Sequence, residues 1–529
     1  MIFYNGVIYT MDNKKVVQAV KIQGDKIIKT GTNTDILNMK EPHELVIDLK
    51  NKTVLPGFND SHMHLYGFGI HLDTVNLSKA KSIADIINEG RNYIETHNIP
   101  SYQWIQGRGW NQDYFQDDKR YPTKVDLDKI STSYPIIFYR VCGHIAVVNS
   151  KALEICNINE NTSQVEGGEF DYDLGIFKEN ALSLITDKIP KPTVQKIKTT
   201  LLKALAYANS KGITSIQSDD LSHAGNFQDV LQAYHELHDE GKLTGRIYQQ
   251  CLLTKEELTT FLSLGYKTGV GDHFFKIGPL KILSDGTLGA RTAALRMPYH
   301  DNPQATGMLC YSEEELEDLI HYAHENGMQI AIHCIGDRAL DVVLNCFKKL
   351  SSLDNRRHGI VHCQVTDYEL IERMKNLHLC AYIQPIFLNY DLHIVEKRVG
   401  KALASTSYAF KTMLDKGIKV ALGTDCPVEE INPLPNIYCA VTRCDLQGFP
   451  QGGWNPQEKL SIYEAIYAYT LGGAYTSFEE HLKGSLTENK LADMVVLNEN
   501  PFTVAVDNLK DIEVLMTIVG GKIVYNNYF

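Results

Sequence analysis
Residues 311–333 read YSEEELEDLIHYAHENGMQIAIH, and this stretch decides the fold. Ser312 is placed to cap a helix, with Glu315 three residues on to complete the cap. Leu316, Leu319, Ile320 and Ala323 then recur at helical spacing and form one apolar stripe. Gly327 stops the helix, because glycine tolerates the left-handed backbone that ends a helical turn. MQIAIH follows as a short apolar run, the signature of a strand buried on both faces. A helix followed directly by such a strand is one unit of a parallel sheet.

The same unit recurs on either side. Thr366 and Glu369 suggest another capping box, and LHLCAYI (377–383) follows as a strand. Gly417 ends a helix before IKVALGTD, and Gly212 ends one before ITSIQS (213–218), which we count as the third strand. Ser82 opens a helix with Ile83, Ile86, Ile87 and Ile94 as its stripe. The number of units suits a closed (β/α)8 barrel of the TIM type better than an open sheet. No helix opens with a GxGxxG or GxxxxGK[ST] loop, so a nucleotide fold has no support.

The two ends have a different texture. VIYTM, AVKIQ, KIIKTG and ELVIDL near the start, and DMVVLNE and VLMTIVGGKIVYN near the end, are β-rich segments punctuated by turn residues. The expected organisation is an α/β protein in which 1–56 and 485–529 build one composite β-sandwich and 57–484 form the barrel with insertions.

Barrel enzymes place their chemistry where strands end. TVLPGFNDSHMH (53–64) closes on His62 and His64, two imidazoles on one strand face. MQIAIH closes on His333, GIVH (359–362) on His362 and VALGTD (420–425) on Asp425. A polar group at the end of an apolar strand is costly if buried without a partner. Five in this order point to a divalent-metal site. Cys334, Cys363 and Cys426 directly follow three of these residues, and strand alternation should turn their thiols away as packing groups.

PGFNDSHMHL, AIHCIGDRALD, VHCQ and LGTDCPV resemble the metal motifs of the amidohydrolase superfamily. GRGWNQDYF, CGHIAVVNSKAL, KILSDGTLGARTAAL and GSLTENKLADMVVL are similar to its amidohydrolase-3, or YtcJ-like, branch, which includes N-substituted formamide deformylase. The resemblance runs nearly end to end. Asn59 departs from it, standing where that branch usually has an apolar residue; outside the ligand set, it is expected to matter little.

The resemblance implies two metals, with zinc suited to the donors and Mn, Fe, Co and Ni left open. It implies a carbamylated lysine at the end of strand four, and Lys281 in GPLKILSDGT is the match. The alternative bridge is Glu179 in GIFKENAL. Asp425 would be both ligand and proton-transfer group. His144 is a candidate for holding the substrate carbonyl, or a structural histidine. Arg108, Trp110 and Asp113 are candidates for lining the pocket or for a structural loop. Asp285 and Arg291 lie just past the Lys281 strand, Arg291 as a clamp for a carboxylate or carbonyl. The implied reaction is hydrolysis of an amide or related C–N bond in an N-acyl or N-formyl amine. A one-metal deaminase and a catalytically silent small-molecule binder are the alternatives.

Composition narrows the partners. Of 529 residues, 43% are hydrophobic, enough for a large core, and the net charge of −12 argues against nucleic acid. No basic segment followed by an apolar run opens the chain, and no stretch of about 18 apolar residues occurs. The 11 cysteines contain no CxxC pair and read as reduced thiols of a cytoplasmic protein. The expected partner is a small-molecule substrate, with neither membrane nor nucleic acid; family analogy allows a homodimer.

Overall fold
Eight parallel strands form the barrel that the helix–strand alternation predicts. In chain order they are β1 (Phe58–Met63), β2 (Ile213–Asp219), β3 (Arg246–Leu252), β4 (Phe275–Leu283), β5 (Ile330–Cys334), β6 (Gly359–His362), β7 (Cys380–Ile383) and β8 (Val420–Leu422). The computed structural model describes residues 1–528 except 98, 101, 102, 117, 352 and 354, with the backbone alone at 223. ITSIQS is thus the second barrel strand, not the third, and RIYQQCL (246–252) is the third.

Sequential strands pair in parallel register, for example Lys281 with Ala331 and His333 with Val361. The barrel closes where β8 returns to β1. Asp425 N donates to His62 O and His64 N to Cys426 O, each at 2.8 Å. The buried Asp60 carboxylate accepts from Thr424 N and Thr424 Oγ1 across the same seam. The approach is close enough to require glycine at 423, where a Cβ would lie 2.6 Å from His62 N. Ala331, Val361, Cys380, Tyr382 and Ala421 form a packed layer of the barrel.

The predicted caps explain where the helices start. Ser312 Oγ accepts from Glu315 N in a full capping box, and Leu316, Leu319, Ile320 and Ala323 are the buried face of Glu313–Glu325. Ser82 caps Ile83–Thr96 as expected. The box expected at Thr366 is displaced by one residue. Asp367 caps Tyr368–Asn376 by accepting from Leu370 N, while Thr366 Oγ1 donates to Thr406 O.

Both ends of the chain share one β-structure. A four-stranded sheet comes wholly from the N-terminal segment. A six-stranded sheet joins Met494–Leu497 antiparallel to Thr53–Pro56 and adds the hairpin Val514–Val519 and Lys522–Asn526. Phe3, Val20, Ile27, Val54, Met494, Val496 and Ile518 belong to one core, so each end buries the other's apolar face.

Cα packing divides the chain into two units, residues 1–67 with 197–529, and residues 68–196. The second carries its own six-stranded mixed sheet, with two apolar clusters built around Phe138 and Phe177. Among the described residues no helix is long and apolar enough to cross a membrane.

Candidate metal centre
The β1 alternation presents His62 and His64 to the same side, with ring centroids 5.3 Å apart. His333 comes from β5 and His362 from the last position of β6, and their rings lie 4.5 Å apart. His362 also meets His62, at 5.6 Å. Asp425, three residues past β8, places Oδ1 3.3 Å from His62 Nε2 and 3.2 Å from His64 Nε2. Donor atoms of His62, His64 and Asp425 all lie within 4.8 Å of one another. Lys281, buried on β4, faces the same cavity of about 490 Å³ as the four histidines and Asp425. His362 and Asp425 have φ of 77° and 58°. Non-glycine residues in this region are strained, and such strain concentrates at functional sites.

The hydrogen bonds behind the imidazoles fit this cluster to a divalent cation. Gln250 Nε2 donates to Ser61 O, so its Oε1 faces His62 Nδ1 at 2.7 Å. Gln384 Nε2 likewise donates to Tyr382 O and turns Oε1 to His362 Nδ1 at 2.9 Å. Each glutamine oxygen can only accept, so each Nδ1 carries the proton and each Nε2 keeps its lone pair for the centre. His333 is turned the other way: its Nε2 is 3.1 Å from Gly286 O, leaving Nδ1 as the donor atom.

Asp219, at the end of β2, is 1% exposed, and neither carboxylate oxygen has a hydrogen-bond partner among the described residues. Its nearest cationic neighbour in contact is His64, with Nδ1 3.9 Å from Oδ2. A buried carboxylate left this way demands positive charge nearby.

The electrostatics have the same source. Burial drives His362 well below the ordinary histidine value, with His333 adding to it. Burial also lowers His62 and Lys281, favouring the neutral imidazole and the neutral amine. For His64 burial acts downward too, but the Asp425 and Asp219 carboxylates outweigh it and raise the group to about 9. Burial pushes Asp425 upward, yet the adjoining His62 and His64 imidazoles hold it well below the usual carboxylate range.

The family model described as "Amidohydrolase family" matches residues 45–525. The chain belongs to the amidohydrolase family. It is 34% identical to the amidohydrolase-type protein YtcJ of Bacillus subtilis (strain 168), over 99% of each chain. It is 26% identical to N-substituted formamide deformylase of Arthrobacter pascens, over 99% of this chain and 98% of that one. The crystal structure of an uncharacterized metal-dependent hydrolase from Pyrococcus horikoshii superposes with a TM-score of 0.80 at 31% identity, covering 96% of this chain and 98% of that one. The amidohydrolases are metal-dependent hydrolases, and the His–His–Asp cluster is the feature of this chain that answers to that.

Beyond the six clustered residues, the family motifs have other roles. Trp110 is a correction: it is fully buried in a hydrophobic core, and its Nε1 donates to Phe138 O at 3.0 Å. Burying so large a ring stabilises the sheet and leaves no face for a ligand. Asp113 is exposed on a short 3-10 turn, where Arg140 Nη2 reaches its Oδ2 at 3.1 Å. Arg108 is an exposed residue of the strand Ile105–Trp110. His144 and Glu179 are both exposed and pair with each other at 3.0 Å, so Glu179 is an ion-pair partner and not a bridge between metals. All five lie in the 68–196 unit, whereas every residue lining the cavity belongs to the other.

Arg291 is also corrected. Its guanidinium is held in a fork by Asp301, with both contacts at 3.0 Å, and it does not line the cavity. Asp285 accepts from Ala294, Ile335 and Gly336 N and folds the loop after β4 back over β5. Cys334, Cys363 and Cys426 are buried and absent from the cavity wall.

Asp219, Gln250, Gln384, Gln364, Asp391 and Glu429 were missed from sequence. Asp219 closes an apolar strand as His333 does, so the same rule could have found it. The glutamines carry no such signal.

Proposed function
We propose that this protein hydrolyses an amide or related C–N bond of a small molecule of the N-acyl or N-formyl amine class. The carrying observation is Asp425 Oδ1 set between the Nε2 atoms of His62 and His64, with Lys281, His333 and His362 around the same cavity. The donor set suits two divalent metals, zinc by preference, which His62, His64, His333, His362 and Asp425 would hold together with Lys281 as a carbamate. When bound, such ions acidify water to a pKa of about 7 and polarise a carbonyl oxygen.

The chain's own part is acid–base work and positioning. Asp425 is ionised, so it can take the proton of the attacking water at Oδ2 while Oδ1 stays with the histidines. It then returns the proton to the departing amine nitrogen. Gln250 and Gln384 keep two imidazoles in one tautomer and orientation throughout. Leu288 and Phe387, both buried, wall the cavity and would shield the substrate from bulk water. The reading uses no group from the 68–196 unit. The name of the Arthrobacter relative supports the formamide end of the class.

Metal analysis of the purified protein, followed by a rate screen on N-formyl and N-acyl amines, tests the reading. Metal-loaded protein should hydrolyse members of this series. Protein that binds its metals and turns over none of them would refute it.

A further inference from the structure
Above the predicted ligands the cavity is apolar, lined by Leu283, Leu288, Ile335, Phe387, Tyr390 and Val428. Two carboxylates interrupt that lining, Asp391 after β7 and Glu429 after β8. Among the described residues no arginine lines the cavity, and Lys281 is its one lysine. Glu429 takes part in no hydrogen bond or ion pair among the described residues. Asp391 is 8% exposed; its Oδ2 accepts from Gln364 Nε2 at 2.8 Å and from Tyr408 Oη at 2.7 Å. Gln364 Nε2 also reaches Tyr408 Oη, which uses both of its protons. The Gln364 Oε1, on a side chain 3% exposed that lines the same cavity, has no hydrogen-bond partner among the described residues.

This side of the cavity therefore offers acceptors and almost no donors. A buried acceptor left unmatched is costly, and two carboxylates in an apolar cavity repel each other and any anion. An ammonium group reverses each of these costs. It is a compact positive charge with three protons to give and no lone pair that conflicts.

Resting on the amidohydrolase reading above, we propose that the cavity selects amides bearing a positive charge away from the scissile bond, an ammonium seated on Glu429 and Asp391. Burial, with Asp391 nearby, raises Glu429 to about 7, and burial raises Asp391 to about 6, as expected of acids awaiting a cation.

The experiment compares two amides of equal length in metal-loaded full-length protein: the monoformyl amide of diaminobutane, which ends in an ammonium, and N-pentylformamide, which ends in a methyl. Binding is measured by calorimetry and hydrolysis by amine release. The ammonium amide should bind at least about tenfold more tightly and show a correspondingly higher kcat/KM. Glu429→Gln should abolish that preference. Glu429 makes no hydrogen bond or ion pair among the described residues, so this variant should keep the parent Tm; Asp391→Asn is avoided as the primary test because it disturbs Tyr408.

Equal binding of the two amides by the parent overturns the inference, even if both are hydrolysed and the amidohydrolase reading stands. If neither is hydrolysed, that reading fails, and the binding ratio still decides this one. A metal ion bound by the parent and lost in Glu429→Gln would also overturn it, since the carboxylates would then hold that ion.

Discussion
Asp425 and His62 are joined twice: Asp425 N donates to His62 O at 2.8 Å, and His62 Nε2 stands 3.3 Å from Asp425 Oδ1. The seam that closes the barrel is thus also the seam that assembles the ligand cluster. The side chain can be altered without cutting the backbone link. Asp425→Asn should keep the parent Tm and lose about 10²–10⁴-fold in kcat, the range for removing a positioned acid–base group. Steady-state kinetics beside a thermal melt check this; a variant within threefold of the parent rate would remove Asp425 from proton transfer.

Gln250 supports His62 from behind. Gln250→Leu keeps the volume and removes the acceptor at Nδ1, so His62 can rotate or take the wrong tautomer. Metal affinity should fall by about 10–100-fold, the usual effect of losing such an outer partner. Competition with a chromogenic chelator measures it. Unchanged affinity would mean that packing alone orients His62.

The ligand cluster was legible because of how parallel strands are buried. β5, β6 and the β8 segment are apolar runs that stop abruptly at His333, His362 and Asp425, and an abrupt polar stop needs a reason. Gln250 was not legible, since a glutamine within RIYQQCL shows its face only once the barrel curls and sets β3, one strand removed from β1, within reach of His62. Trp110 misled because GRGWNQDYF carries polar chemistry around a residue whose ring faces a core. The 68–196 unit was hidden for a related reason. The run PIIFYRV (135–141) has the apolar texture of a barrel strand yet pairs in parallel with Ile105–Trp110 in the other sheet, and ITSIQS is the strand that follows β1 in the barrel. Local pattern fixes strand type, but pairing across more than a hundred residues decides which sheet a strand joins.

Glu479 gives a stability prediction with a defined pH window. It is 3% exposed and holds Lys276 and Lys483, the latter at 2.8 Å. Burial raises its carboxyl, but the two ammonium groups outweigh this and bring it down to about 2. A folded-state value below the unfolded one, about 4.3, means stability that is full above the unfolded value and lost as pH falls toward about 2. At pH 7, Glu479→Gln should cost about 3 kcal/mol, because it leaves the buried Lys483 ammonium uncompensated and removes the partner of the half-buried Lys276. Denaturant unfolding of parent and variant across that window should show the difference shrinking with acid. A constant difference would show that the charge is not its source.

Asn59 was expected to matter little, and the structure gives it a cost. It is 3% exposed, and neither its Oδ1 nor its Nδ2 has a hydrogen-bond partner among the described residues. The site is tight, since a Cβ on Gly473 would come 2.7 Å from Asn59 Cγ. Leucine has nearly the shape of asparagine and no polar atoms to strand. Asn59→Leu should therefore stabilise the protein by about 1–3 kcal/mol with little change in rate. A lower denaturation midpoint would show that the amide is satisfied in solution or that the branch does not fit.

Lys281 decides between one metal and two. It is buried on β4, lines the cavity with the histidines and makes no hydrogen bond or ion pair among the described residues. Burial lowers its pKa, so the neutral amine, the form that adds carbon dioxide, is more available than for an exposed lysine. The addition forms an N–C bond and releases one proton, giving an anionic oxygen donor where an ammonium would repel cations. The Asp219 carboxylate behind it attracts positive charge to the same place. Lys281→Ala should lose about one metal equivalent and most activity, and short-chain carboxylic acids should restore part of both by supplying the missing oxygens. Metal content by plasma emission, with and without added acetate or propionate, reads the outcome independently of turnover. A Lys281→Ala protein that keeps its full metal content and its rate would eliminate the carbamate. One that holds a single metal both before and after substitution, at the parent rate, would identify a one-metal enzyme on the same barrel.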